Sequence, residues 1–425
     1  MKGSDRALLG PDTAWLLLFC LARLGFATMF TAYSAALPLL KQDWSMSAAQ
    51  AGLIQSAYHV GFLVSLFAVG FMSDHYGATR TYLWTSVAAA GSGIVFAVFA
   101  DSFASGLVLY GVAGLCSGGS YTPGLAIITQ RFAGQGQGRA MGYYLAAASL
   151  GYGVALLMVS AMIPVAGWRG GLVLTALGPV LGMVVGYRVL RDVPNVVHPL
   201  PDGDVGGSAL KAVMRNKPAM LSIWGYTFHA WELLGLWAWL PAYMAVALSL
   251  GSGMSPEAAS LGAVLSALTY LVAVFGSVLG GSLSDRWGRT AIILGLSITS
   301  LVCSFAFGWM LGLPIGLLVL VAVIYNFAGV ADSSIHSTSL SELIHPRYLG
   351  AAYSLRSVLG FGAGAVAPWV FGAVLDWGRA PPLSSETWAW GLAWASLGMG
   401  GLLGPVAIWR LRQMPEAGRM AGGKR

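Results

Sequence analysis

Apolar runs of about twenty residues or more alternate with short polar breaks along almost the whole chain. They fall at roughly 14–39, 47–72, 80–100, 103–131, 140–164, 168–190, 219–248, 257–283, 291–311, 314–341, 349–375 and 387–410. A helix rises about 1.5 Å per residue, so about twenty apolar residues cross a hydrocarbon layer about 30 Å thick. Backbone groups find no water there, so each crossing must close its own hydrogen bonds as a helix. The pattern predicts an all-α membrane protein with twelve transmembrane helices. Most breaks are short, as at Lys41-Gln42-Asp43, the glycine-rich turn 134–138, Gly312 with Pro314, and Pro381-Pro382. One polar stretch is long. Residues 191–217 separate an N-terminal six-helix bundle (1–190) from a C-terminal one (218–425) and read as a cytoplasmic central loop with a short tail beyond the last span.

Composition agrees with a lipid solvent. Of 425 residues 57% are hydrophobic and 9% charged, against roughly 25% charged in soluble domains. The net charge of +7 is therefore a poor argument for nucleic acid, and its placement says more. With the N-terminus in the cytoplasm, 18 of the 23 lysines and arginines fall on cytoplasmic segments. Only Lys41, Arg169 and Arg379 fall on the other face. This bias orients both termini and the central loop to the cytoplasm of a plasma or inner membrane. No small-residue cleavage site precedes the first apolar run, so the N-terminus reads as retained. Cys20, Cys116 and Cys303 lie singly inside apolar runs and read as small core residues, neither disulfides nor metal ligands. A monomer is expected.

Two charged turns repeat. "GFMSDHYGATR" (70–80) and "GGSLSDRWGRT" (280–290) each join the second and third span of a half. A second echo pairs "SLGYG" (149–153) with "VLGFG" (358–362). The halves are thus parallel repeats, as in transporters that rock two bundles about a central site. On these features the chain resembles the major facilitator superfamily over nearly its whole length. The superfamily's loop signature G-x-x-x-D-x-x-G-R is carried by Gly281, Asp285, Gly288 and Arg289, with Arg286 added. Gly70, Asp74, Gly77 and Arg80 carry the first copy, where Ala78 takes the usual arginine position. "GQGRAMG" (136–142) resembles the superfamily's turn into its fifth helix. The glycines permit a tight turn and close helix approach, and an aspartate at a helix end can hold an arginine or free N–H groups. The resemblance implies that the loops gate the cytoplasmic side. The alternative is that they only fix loop geometry.

Ionisable residues inside spans are costly and are functional candidates. Arg23 lies about 13 Å into the first span at 1.5 Å per residue, and Glu232 lies near the middle of the seventh. The repeat makes them near-equivalent, which places them opposite one another across a central cavity. No acid occurs within the other five spans of the first half, so Arg23 is read as an anion site and Glu232 as a proton carrier. A plain Arg23–Glu232 gate, or an Arg23 that reaches Asp12 or water, remains open. Asp332 and Arg356 lie at similar depth on consecutive spans and read as a structural ion pair or as one that breaks during transport. His229 stands three residues from Glu232 and His336 four from Asp332, each pair on one helix face, so both histidines are proton-coupling candidates. Tyr33, Tyr58, Tyr121 and Asn326 are candidate substrate contacts; Gln55, His59 and Trp231 are other polar or aromatic groups within spans.

None of the five lysines stands in a Gly-Lys-Ser/Thr phosphate loop, and no cysteine–histidine metal cluster or nucleophile motif occurs. An enzyme, a cofactor and a metal are not expected, and energy must come from a gradient. Superfamily exporters often carry G-x8-G-x3-G-P in the fifth span. Gly142 and Gly151 keep its first spacing, but Ala155-Leu156 replaces the Gly-Pro. "FTAYSAALPLL" (30–40) resembles monocarboxylate carriers, although the eighth span lacks their arginine. Organophosphate exchangers place an arginine on the first and the seventh spans; Glu232 stands on the seventh here. The expected function is transport of a small, monocarboxylate-like organic anion with protons by alternating access. The alternatives are proton-coupled efflux of amphipathic or cationic compounds and, remotely, a membrane sensor.

Overall fold

The computed structural model describes residues 11–132, 136–197 and 205–424. Among these, all regular structure is helical. The first half holds α1 (Pro11–Asp43), α2 (Ala48–Tyr76), α3 (Ala78–Phe99), α4 (Phe103–Ser117), α5 (Thr122–Arg131) and α6 (Gln137–Leu190). After α7 (Val205–Arg215), the second half holds α8 (Lys217–Leu248), α9 (Pro256–Trp287), α10 (Arg289–Phe307), α11 (Ile315–Leu343), α12 (Leu349–Arg379), α13 (Glu386–Gly401) and α14 (Leu403–Gln413).

Eleven helical stretches are long and apolar enough to cross a membrane, and one of them has 52 residues. That one is α6, and it is two crossings. Its backbone leaves the helical region at Ala166 (φ −137°) and Gly167 (φ +66°). Beyond the break the chain folds back, since a Cβ on Gly171 would lie 3.0 Å from Val159 Cα. A straight helix would hold those residues about 18 Å apart. The twelve crossings read from hydropathy are therefore present, with the fifth and sixth spans joined by a two-residue reversal.

Three local expectations need correction. The fourth crossing is not one helix: α4 and α5 are parted by a 3-10 turn at Gly118–Ser120. The last crossing likewise breaks at Leu402 between α13 and α14. The central polar stretch is not all loop, because α7 occupies its second part and buries Val213 against α8 and Leu340. Residues 198–204 of that stretch, and 133–135 of the glycine-rich turn, lie outside the described residues, as do Lys2 and Arg6 of the N-terminal segment.

The charged turns are tight for the expected reason. Gly77 and Gly288 take φ +88° and +98°, where a side chain would be strained. Elsewhere, glycine sets how closely helices pack. A Cβ on Gly25 would meet the Gly178 carbonyl oxygen at 2.4 Å, the small-residue contact by which membrane helices approach without a hydrophobic drive.

The halves meet along a seam where α2 packs on α12, α6 on α9, and α1 on α8. Its hydrogen bonds all lie toward the end away from the charged turns. Ala48 N and Ala49 N, opening α2, donate to the Asp376 carboxylate of α12 at 2.9 and 2.8 Å. Ser160 and Ser260 join α6 to α9 at 2.9 Å. A Cβ on Gly52 would stand 2.1 Å from the Pro368 carbonyl oxygen, and one on Gly372 2.1 Å from that of Ala48. Further in, rings take over: Tyr152 on Trp237 at 5.4 Å and Phe62 on Phe361 at 5.5 Å. Among the described residues, no hydrogen bond joins the halves at the charged-turn end.

Candidate substrate and proton sites

The break in the fourth crossing sets polar groups beside α1. Gly118–Ser120 turns too tightly for α-helical bonding, and the Ser65 hydroxyl accepts the freed Gly118 N–H at 3.0 Å. Ser120 and Tyr121 are thereby presented to α1. Arg23 of α1 donates from Nη1 to Ser120 Oγ at 2.6 Å and lies over the rings of Tyr121 (5.4 Å) and Tyr144 (5.8 Å). Its residue is 6% exposed, its Nε has no partner, and no carboxylate stands in ion-pair range among the described residues. Asp12 does not reach it, being paired with Arg131 at 2.8 Å. A guanidinium has five donors in a fixed fork and cannot shed its charge, so burial without an anion is costly. Serine and tyrosine faces offset part of that cost and leave donor capacity unused.

Glu232 does not face Arg23. Its carboxylate is turned into the second half, where Ser304 of α10 donates to it and Tyr325 of α11 bonds the same hydroxyl. Its other oxygen lies beside Gly401, where a Cβ would be 3.1 Å away. Repeat symmetry relates the two positions along the chain and not the direction in which each side chain points.

The expected Asp332–Arg356 ion pair is not formed. Asp332 of α11 faces His229 of α8, Oδ1 to Nδ1 at 3.1 Å, and His336 Nε2 at 3.8 Å. His229 Nε2 bonds Ser333 Oγ at 2.9 Å, and the two imidazoles lie 5.7 Å apart. Arg356 of α12 instead donates to Ser337 Oγ at 2.5 Å and sits over Tyr226 at 4.3 Å. His229, His336, Asp332 and Glu232 thus gather between α8, α10 and α11, with both imidazoles facing Asp332. All four are buried.

Three expected substrate contacts are used up elsewhere. Tyr33 is fully buried, donates to the Ala51 carbonyl at 3.0 Å and stacks on Tyr110. Tyr58 packs between Tyr110 and Phe30 in the same core. Asn326 accepts from Trp237 Nε1 and donates to Thr269 Oγ1, both at 2.9 Å, so it fixes the indole at the seam. Tyr121 does stand beside Arg23. Tyr152, Tyr226 and Trp237, half-buried at the seam, were not singled out from the sequence. Tyr152 lies in the repeated "SLGYG" stretch, which was the available signal.

The two signature loops differ in chemistry. Arg289 is buried, pairs with Asp285 one turn back, and reaches Glu342 of α11 at 2.9 Å. Arg80 is exposed, and its backbone N–H donates to Asn195 Oδ1 at 3.1 Å. Asn195 also donates to the Tyr76 carbonyl at 2.8 Å and fills the space beside Gly77.

A family model, the Major Facilitator Superfamily, matches residues 19–368. The chain belongs to the major facilitator superfamily. It is similar to a probable sulfoacetate transporter, SauU, of Cupriavidus necator, 27% identical over 81% of this chain and 82% of that one. It is also similar to a hexuronate transporter of Bacillus subtilis, 21% identical over 81% of this chain and 84% of the other. Among solved structures the nucleoside transporter NupG superposes with a TM-score of 0.75 at 15% identity, over 93% of this chain and 99% of that chain. At that identity the likeness speaks to fold alone. Superfamily membership and these relatives make the protein a multi-pass membrane transporter of small molecules rather than an enzyme.

Proposed function

We propose that this superfamily member moves a small organic anion together with protons by alternately opening the two ends of its seam. Arg23 carries the reading: a buried guanidinium, fixed by Ser120 and Tyr121, with no carboxylate of its own. Such a group binds an oxyanion bidentately and discriminates against cations. The relatives named for sulfoacetate and hexuronate both have organic acids in their names, which agrees with it. Glu232 and Asp332 are assigned as proton carriers, with His229 between them and His336 beyond Asp332.

In this reading the bundles 1–190 and 218–425 are the rocking units, and the charged-turn end faces the cytoplasm of an inner or plasma membrane. The signature residues Gly70, Asp74, Gly77 and Arg80, with Gly281, Asp285, Gly288 and Arg289, act as the gate of that end. With the halves bonded at the opposite end, the described state is closed at the end away from the charged turns.

The test is proteoliposome uptake of labelled organic acids under an imposed pH gradient. Arg23→Ala abolishes uptake while the protein remains folded and monodisperse. Glu232→Gln or Asp332→Asn removes accumulation driven by the gradient while anion exchange persists. Uptake of normal affinity by Arg23→Ala would refute the anion site. A response to lipophilic cations alone would make the protein an exporter.

A further inference from the structure

Three arginines of the described residues are more than nine-tenths buried: Arg23, Arg289 and Arg356. Arg289 has two carboxylate partners. Arg23 and Arg356 have none, and Nε of each lacks any hydrogen-bond partner. Their settings match although they stand in different halves. Each donates to one serine hydroxyl, Ser120 or Ser337, and each lies over the face of a tyrosine, Tyr121 or Tyr226. The tyrosines are half-buried where the arginines are buried, and Tyr226 packs on Gly360 of α12, next to Phe361, which meets Phe62 of the first half at 5.5 Å. Tyr152 of the first half meets Trp237 of the second at 5.4 Å. Asp332, the one acid placed to neutralise Arg356, is committed to His229 and His336.

Two like charges are therefore held in the membrane, one per half, each with unused donors and a tyrosine leading to the seam. A solute with one anionic group can satisfy one guanidinium and leaves the other uncompensated. A solute with an anionic group at each end of a short skeleton can satisfy both and, in doing so, tie the halves together. We infer that the transported anion is a dianion, such as a dicarboxylate or sulfocarboxylate, with Arg23 holding one end and Arg356 the other. This rests on the proposal that Arg23 is an anion site and adds the charge of the substrate to it.

The test measures a ratio. Purified protein in liposomes is given labelled short aliphatic dicarboxylates and sulfocarboxylates, and monocarboxylates of matching length, at neutral pH. Ligand-induced thermal stabilisation in detergent gives the affinity ratio independently of transport. Wild type favours the dianion by about tenfold or more, the scale expected of one additional charge-assisted pair. In Arg356→Gln the ratio falls to near one; in Arg356→Lys, which keeps the charge without the fork, it falls only part-way. A wild-type ratio near one, or a ratio that Arg356→Gln leaves unchanged, overturns the dianion inference even if Arg23 still binds anions. If Arg356→Gln fails to fold, the wild-type and Arg356→Lys ratios decide. Wild type that binds no organic anion at all would instead overturn the anion-site reading beneath it.

Discussion

Asp376→Asn should unbalance the two ends of the transporter without unfolding it. The Asp376 carboxylate takes the N–H groups of Ala48 and Ala49 at 2.9 and 2.8 Å, both from the first turn of α2 in the other half. A hydrogen bond to a charged group contributes about 1.5–3 kcal/mol, and a negative charge at a helix N-terminus adds about 0.3–1 kcal/mol. Asparagine keeps one acceptor and loses the charge. Because Asp376 is half-buried, a net loss of about 2 kcal/mol is reasonable. At about 1.4 kcal/mol per decade, that is roughly a thirtyfold shift away from the state closed at this end. The cost falls on one conformation only, since the bonds exist only while α2 and α12 meet. Spin labels at Gln42→Cys and Ser384→Cys, exposed at this end on opposite halves, report the separation by double electron–electron resonance, with the three native cysteines replaced. Asp376→Asn should transfer most of the short-distance population to a longer one. Glu386→Gln is the control: its partner Arg379 is in its own half at 2.7 Å, so the distribution should change much less. An unchanged distribution in Asp376→Asn would show that this carboxylate does not hold the end closed.

Other consequences follow from single contacts. Arg23→Lys keeps a positive charge but loses the fork that meets Ser120 while leaving donors for an oxyanion, so apparent affinity for the transported anion should fall about tenfold or more in uptake assays. Gly25→Leu places side-chain carbon where Gly178's carbonyl oxygen already lies, 2.4 Å from the Cβ position. It should lower the melting temperature in detergent strongly, because both neighbours are backbone. Asn326→Leu leaves the Trp237 indole without a partner and removes the donor to the Thr269 hydroxyl, which still donates to the Ser266 carbonyl. It should cost about 1–3 kcal/mol of stability and loosen Trp237, read as a shift in tryptophan fluorescence. A variant with unchanged melting and emission would show that the indole is held by packing alone.

Hydropathy carried the architecture because the membrane imposes a single requirement, about twenty apolar residues per crossing, that a linear pattern can display. The reversal at Ala166–Gly167 is an example: two apolar runs in the sequence, and two helices that fold back on one another across a two-residue break. What the pattern could not display is azimuth. Successive residues turn about 100° around a helix axis, and mutual rotation of helices is set by packing. Arg23 and Glu232 therefore occupy related places in the two repeats, while the Glu232 carboxylate points to Ser304 rather than across the seam. Asp332 and Arg356 lie on consecutive spans and both turn toward α8, yet the aspartate meets His229 and the arginine Tyr226. Spacing within one helix was more dependable. His336, four residues from Asp332, does lie 3.8 Å from it. Tyr33 and Tyr58 misled because a tyrosine hydroxyl can be satisfied inside a core by a backbone carbonyl, as Ala51 satisfies Tyr33.

The late arginine of the first signature copy has a structural counterpart that separates two views of these loops. If both copies were only topological markers, Arg80 and Arg289 would matter alike. Arg289 follows Gly288 directly, is buried, and clamps the start of α10 to the end of α9 through Asp285 and to α11 through Glu342. Glu342 also accepts from Ala421 N at 3.1 Å, so the C-terminal segment is fastened to the same point. Arg80 is displaced by Ala78 and Thr79 into solvent, and Asn195 from beyond α6 does the fastening in its place. Arg289→Ala should therefore lower stability by about 2 kcal/mol, less than for a fully buried pair because Glu342 is partly exposed and Asp285 mostly so. Arg80→Ala should stay within about 0.5 kcal/mol, as for surface positions generally. Asn195→Ala should resemble Arg289→Ala, since it frees the Tyr76 carbonyl and the Arg80 N–H together. Thermal melting of the three variants in one detergent compares them. If Arg80→Ala melted as low as Arg289→Ala, the first loop would be held by its arginine after all, and the substitution of an amide for a guanidinium would be the wrong account of how the halves diverged.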